Sequence, residues 1–270
     1  MKTFYAKENC TLKEFTSAVY PQGAFCLNAL LRNRDVKVNG TRVKNSVPLK
    51  AGDEVVYYTT PAQEAKPSHT AVYEDENIYI ADKQSGVSSE GLTSELSSRG
   101  EIYAVHRLDT NTEGLIAFAK NREAEKELLC AFRERTAVKK YIALCKNNFK
   151  SKSGTLTAYL VKDAEKSEVK IYSSPSASAE KIITEYRVAE DRGDIALVEI
   201  TLHTGKTHQI RAHMAFIGCP VLGDGKYGDG ALNKKYAVVR QRLVAKYLTF
   251  SFKGKLSYLN GRTFESSFGL

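Results

Sequence analysis

The chain has 270 residues, of which 42% are hydrophobic and 26% charged, a balance that excludes a disordered chain, a collagen-like fibre and a disulfide miniprotein. Forty Lys and Arg against thirty-one Asp and Glu leave a net charge of +9, which points to a polyanionic partner, nucleic acid in the first instance. Five scattered cysteines with no CxxC pair fit buried free thiols in a reducing cytoplasm rather than a disulfide framework or a zinc site, and no apolar run has the length of a membrane span or a signal-peptide core.

Residues 1–60 read as a small unit of their own, with nine Lys and Arg against five Asp and Glu. A helical stretch at Leu27–Arg34 leads into a short strand, Val36–Val38, and Asn39-Gly40 signals a hairpin turn. Arg42–Lys44 returns, and Ala51-Gly-Asp53 turns into a strand over Glu54–Tyr58. Arg32, Arg34, Lys37 and Arg42 crowd the helix end and the hairpin. Such a face is either a solvated basic surface or one that tracks phosphates. Residues 61–70, with two prolines and no apolar period, read as a linker.

Residues 71–270 form the larger unit. Val72–Ala81 predicts two short strands around an acidic turn, Ile102–Asp109 a strand, and Leu115–Ala119 another. Asn121 predicts an N-cap for a helix through Arg135, with Ala124, Leu128, Ala131 and Phe132 on one face. Lys139–Cys145 and Ile195–His203 read as strands, and residues 173–180 as a loop. Thr207 is expected to cap a helix carrying Ile210, Met214 and Ile217, stopped by Gly218 and Pro220. Leu248–Phe252 is a late strand. Strands outnumber helices without βαβ alternation, so the fold class is α+β with a mixed, mostly antiparallel sheet.

Two clusters could carry chemistry. In His106-Arg-Leu-Asp109 a strand would put Arg107 and Asp109 on one face. Asp109 then opens a polar turn, where it either makes an Asx turn or presents a reactive carboxylate. In His203-Thr-Gly-Lys-Thr-His-Gln-Ile-Arg-Ala-His213 a polar loop feeds a helix N-terminus bearing His208, Gln209 and Arg211, a setting suited to anions. The three histidines are five apart, which matches no helical zinc pattern, so no metal is expected. The loop Gly223–Gly230 lacks the Walker ending, and Asp224 reads as a turn residue. Hydrolase, dehydrogenase and metalloprotease fingerprints are absent from the sequence.

Taken together these clusters resemble the RluA-type pseudouridine synthases. The carriers are His106-Arg-Leu-Asp109 with Thr112, Gly114-Leu115 and Ala119-Lys120; Lys140-Tyr141; Gly205–His213; and Gly218–Asp224 with Tyr227-Gly228, all within about residues 70–252. Residues 27–58 separately resemble a small RNA-binding module shared with a small-subunit ribosomal protein. The chain departs from the family pattern at Glu113 (usually Ser), Gln84 (usually Pro) and Lys206 (usually Arg), which bears on substrate choice and rate. The resemblance implies a pseudouridine synthase fold over 71–270 and isomerisation of uridine to pseudouridine in RNA without a cofactor. Ribosomal large-subunit RNA is the first expected target and tRNA the second. It nominates Asp109 as catalytic carboxylate, Arg211 as its cationic partner and Tyr141 as the ring stacked on uracil, the alternative for Tyr141 being a core tyrosine. Asp109 would either attack C1′ or take a proton from C2′. Arg107 is expected to fill the space left by the flipped nucleotide, with His106, Lys206 and His208 also on RNA. A cytoplasmic monomer is expected. The competing readings are a non-catalytic RNA-binding protein on the same fold and, more distantly, another base-modifying enzyme such as a methyltransferase, whose Gly-rich cofactor loop is missing.

Overall fold

A computed structural model describes residues 1–65, 67–163 and 168–270. The N-terminal unit comprises β1 (Lys2–Tyr5), β2 (Cys10–Thr11), α1 (Leu12–Val19), α2 (Pro21–Arg32), β3 (Val36–Val38), β4 (Thr41–Arg42), β5 (Pro48–Leu49) and β6 (Glu54–Tyr57). Four of these strands form one sheet in the order β1-β6-β3-β4, and β2 pairs with β5. Leu12, Phe15, Leu27, Leu30 and Leu31 of the two helices meet Val36, Val55 and Tyr57 of the sheet in a closed core. The β3–β4 hairpin turns at Asn39-Gly40, both at positive φ, as an Asn-Gly turn requires. The helix α1 lies outside the sequence expectations, although Thr11 and Glu14 form a full capping box at its start.

The expected linker is shorter than 61–70. It contains α3 (Pro61–Ala65), and β7 (His69–Glu74) has already begun at His69. Ser68 is buried, its Oγ donating to Glu95.

The remaining elements are β8 (Ile78–Lys83), α4 (Ser89–Ser97), β9 (Tyr103–Ala104), β10 (Glu113–Ala119), α5 (Arg122–Arg133), β11 (Val138–Lys146), β12 (Ser153–Asp163), β13 (Glu168–Tyr172), β14 (Glu180–Arg192), β15 (Ile195–Leu202), α6 (Gln209–Phe216), α7 (Gly230–Lys235), β16 (Leu243–Thr249), a 3-10 turn at Lys255–Leu259 and β17 (Thr263–Glu265). They build an eleven-stranded sheet in the order β13-β12-β14-β15-β11-β16-β10-β8-β7, with β9 and β17 at its side. The class is α+β, and among the described residues every pairing of the sheet is antiparallel except β10 with β16. Strand β16 inserts between β10 and β11, which are consecutive in sequence.

Both faces of the sheet centre are covered, which is why β10 reads as an unbroken apolar run. Ile116 and Phe118 point to one face, with Leu92 and Leu96 of α4 and Ile210 and Met214 of α6. Leu115, Ala117 and Ala119 point to the other, with Ala124, Leu128 and Ala131 of α5 and Phe250 and Phe264. As expected, Asn121 caps α5, its Oδ1 accepting from the Ala124 N–H at 2.9 Å. None of the five cysteines forms a disulfide among the described residues; Cys145 and Cys219 are buried and the other three partly exposed. No helix among the described residues is long and apolar enough to cross a membrane.

Candidate active site

The expected strand over Ile102–Asp109 is not continuous. Only Tyr103 and Ala104 pair with β10, and residues 105–109 run as irregular backbone tied to the start of α4. Ser89 Oγ donates to the Leu108 carbonyl at 2.8 Å and accepts from the Leu108 N–H at 3.0 Å. The shared-face argument for Arg107 and Asp109 therefore fails, yet both still line one cavity of about 400 Å³, within the usual range for a small-molecule site.

Lys83 holds the far side of the same loop. It is fully buried, and its ammonium donates to the carbonyls of Gln84, Val87 and Thr110 at 3.1, 2.8 and 3.2 Å. Burial lowers its pKa to about 7, against the opposing charges of Asp109, Glu113 and Glu90. The Asp109 carbonyl takes the Thr112 N–H at 3.0 Å, so the backbone closes the turn. The carboxylate is left to face the cavity and forms no Asx turn.

That carboxylate meets Arg211 of α6. Arg211 Nη1 donates to Asp109 Oδ2 at 2.9 Å, while Nε and Nη2 bind Asp224 at 2.6 and 3.0 Å. The two carboxylates differ in exposure: the Asp224 side chain is 0% exposed and that of Asp109 21%. Asp224 is thus the anchor, fixed further by the N–H groups of Lys226 and Tyr227 at 2.8 and 3.0 Å, and Asp109 is the group presented. Burial alone would lower the Arg211 pKa, but the Asp224 and Asp109 pairings outweigh it and raise it. Asp224 is correspondingly lowered, its burial outweighed by the hydrogen bonds and charge of Arg211. Tyr141 of β11 is buried in the same cavity wall. Burial first, and the Asp109 charge second, raise its phenol pKa, and its hydroxyl has no hydrogen-bond partner among the described residues. The arrangement is a single presented carboxylate, held beside a guanidinium and an aromatic ring in a cavity. That suits one-residue covalent or base chemistry on a flat heterocycle.

The model of the RNA pseudouridylate synthase family matches residues 65–216. This chain belongs to that family. The synthase is 30% identical over 250 residues to the ribosomal large subunit pseudouridine synthase C of Vibrio cholerae serotype O1, covering 82% of this chain and 78% of that protein. It is 32% identical over 224 residues to the synthase of the same name from Salmonella typhimurium, covering 74% and 70%. Among solved structures, human RNA pseudouridylate synthase domain containing 4 superposes with a TM-score of 0.56 at 25% identity, covering 67% of this chain and 83% of the other. Human RNA pseudouridylate synthase domain containing 1 superposes with a TM-score of 0.59 at 24% identity, covering 68% and 79%, and shares the fold.

The other anticipated residues of the synthase divide by position. Arg107 is 69% exposed at the cavity mouth and pairs with Glu90 at 3.0 Å. His106, expected on RNA, lines the same cavity and is partly buried. Its Nε2 takes the Ala117 N–H at 2.8 Å, its ring stands 4.4 Å from Phe132, and burial with help from Lys139 lowers its pKa to about 3. Lys206 is half-buried and pairs with Glu180. His208, not Thr207, is the N-cap of α6, at φ 53°, with Nδ1 3.0 Å from the Tyr227 hydroxyl. In the N-terminal unit Lys37 and Arg42 both lie over the Tyr58 ring, at 5.5 and 5.2 Å from its centroid. Arg34 is exposed, and Arg32 lines a cleft facing Gln84–Val87 and Arg240.

Sequence reasoning gave no part to Lys83 or Lys139, placed Gln209 only at an anion-suited helix N-terminus, and took Asp224 for a turn residue. Gln209 Oε1 accepts from Thr204 Oγ1 and the Lys206 N–H, while its Nε2 donates to Ile183 and Thr184 of β14. It thereby locks the 204–209 loop onto the sheet.

Proposed function

We propose that this synthase isomerises uridines of large-subunit ribosomal RNA, with Asp109 as the catalytic carboxylate. The observation that supports this most directly is the pairing of Asp109 with the anchored Arg211 at the cavity wall. The relatives bearing the ribosomal large subunit name support the target. The reaction breaks the N1–C1′ bond of uridine, turns the uracil within the cavity and forms a C5–C1′ bond. C5 loses its proton and N1 gains one, so no redox partner is required. Asp109 acts on the sugar, either at C1′ as nucleophile or at the C2′ proton as base. Arg211 holds it aimed, through the hydrogen bond from Nη1 to Oδ2. Tyr141 stacks on the uracil, a contact worth about 1–3 kcal/mol, and Arg107 fills the gap left by the extruded nucleotide.

Residues 1–60 act as an RNA-binding module, with Lys37 and Arg42 presented beside Tyr58 and Arg32 and Arg34 nearby. The protein works as a cytoplasmic monomer. Release of tritium from RNA labelled at uridine C5, with ribosomal RNA and tRNA in parallel arms, tests the activity and the RNA class. Release by the wild type and none by Asp109→Asn is the expected result. Tight binding without release by the wild type would instead support a non-catalytic RNA-binding role. Light scattering at micromolar concentration tests the monomer.

A further inference from the structure

Strand β11 alternates so that Lys139 and Tyr141 face the same way, and both line the cavity that holds Asp109. The other Lys and Arg side chains of that wall each have a carboxylate: Arg211 has Asp109 and Asp224, Arg107 has Glu90, Lys206 has Glu180, and Arg133 has Glu134. The Lys139 ammonium has none among the described residues, nor any hydrogen-bond acceptor. Its neighbours are the Phe132 ring, 5.6 Å from Nζ to the centroid, and Gly205, where an added Cβ would sit 3.0 Å from Nζ. Burial lowers its pKa, the mark of a desolvated cation whose protein surroundings do not compensate it. A partly buried, unpaired cation facing a substrate cavity is stabilised when an anion enters.

We propose that Lys139 binds a backbone phosphate of the RNA strand next to the extruded uridine, and that Gly205 lacks a side chain so that the ammonium can occupy this place. The inference rests on RNA being the substrate. It makes Lys139 a substrate-binding residue opposite Asp109, so that the sugar is held between a fixed phosphate and the carboxylate.

Tritium release from C5-labelled ribosomal RNA, measured with the full chain over a range of salt concentrations, tests this. Lys139→Met should raise KM about tenfold, the size of one charge-assisted contact, and leave kcat within about twofold. It should also reduce the slope of log KM against log salt by about 0.7–0.9, the share of one phosphate. Lys139→Arg should keep the wild-type slope. Gly205→Ala, which needs only a shift of the flexible lysine tip, should give an intermediate KM and slope. An unchanged salt slope in Lys139→Met overturns the proposal whatever happens to kcat, and would assign the ammonium to a neutral uracil oxygen or to packing. Should Lys139→Met fail to fold, Gly205→Ala decides, and a wild-type slope and KM there overturns the proposal. If the wild type itself releases no tritium, the proposed activity fails separately, and the same slopes read from filter binding of the RNA still judge Lys139.

Discussion

Arg211 serves two carboxylates of unequal standing, and the inequality makes separate predictions for each. Asp109→Asn keeps the size and a hydrogen-bond acceptor for Arg211 but removes the charge. Turnover should vanish while RNA affinity stays within a few-fold, measured by tritium release and by filter binding; lost affinity or lost folding would count against the catalytic assignment. Asp224→Ala leaves a buried guanidinium with one partner, and breaking such a pair costs about 3–5 kcal/mol. Urea titration should register that loss together with a fall in kcat, because Arg211 then no longer holds Asp109 in place. Asp109 and Arg211 could be read from their motifs. Asp224 could not, because its role lies in a contact thirteen residues away across a loop, and in the sequence it sits among glycines like any turn residue.

At the level of elements, the sheet centre depends on Gly114, which stands at φ +111° with room for a Cβ only 2.3 Å from the Ala245 carbonyl oxygen. Gly114→Ala should separate β10 from β16 and destabilise the protein by about 3 kcal/mol or more, combining backbone strain with overpacking. A melting transition indistinguishable from the wild type would refute that account. The strands that the sequence makes legible are those with both faces apolar or with clean alternation, such as β10 and β15. The segment 105–109 looks like a strand but is not one, because the Ser89 hydroxyl takes up the hydrogen bonds that a neighbouring strand would have supplied. Strands β12 to β14 lie near the edge of the sheet, with polar side chains on their exposed faces. Strand β12 nevertheless alternates, Leu156, Ala158 and Leu160 against Thr155, Thr157 and Tyr159, so its period is open to the same reading.

For the whole molecule, one buried and one partly buried histidine shape the response to acid. His106 and His213 have folded pKa values of about 3 and about 4, both lowered by burial. Between those values and the ordinary histidine value the unfolded chain binds the protons and the folded one does not, so stability rises with pH. Each such proton contributes about 1.4 kcal/mol per pH unit. Stability from urea unfolding should therefore fall steadily from pH 6.5 to pH 4.5, and His106→Gln should flatten that slope by about one proton; an equal slope in the variant would exclude His106 as a source. The charge of +9 predicts RNA affinity that drops steeply with salt. Lys37→Glu with Arg42→Glu should weaken binding at least tenfold and lower the salt slope; an unaltered slope would remove the N-terminal unit from the RNA contact.

The one parallel pair among the described strands, β10 with β16, joins residues 113–114 to 244–245, and Asp109 meets Arg211 across 102 positions of chain. Contacts between such distant positions must await closure of a long loop and are correspondingly slow to form. While the chain is being translated, β8 and β10 can pair early, but they cannot join β11 and β15 until β16 has left the ribosome and slid between them. The junction between the two halves of the sheet, beside which Asp109 meets Arg211, is therefore completed only by a strand encoded near the end of the chain.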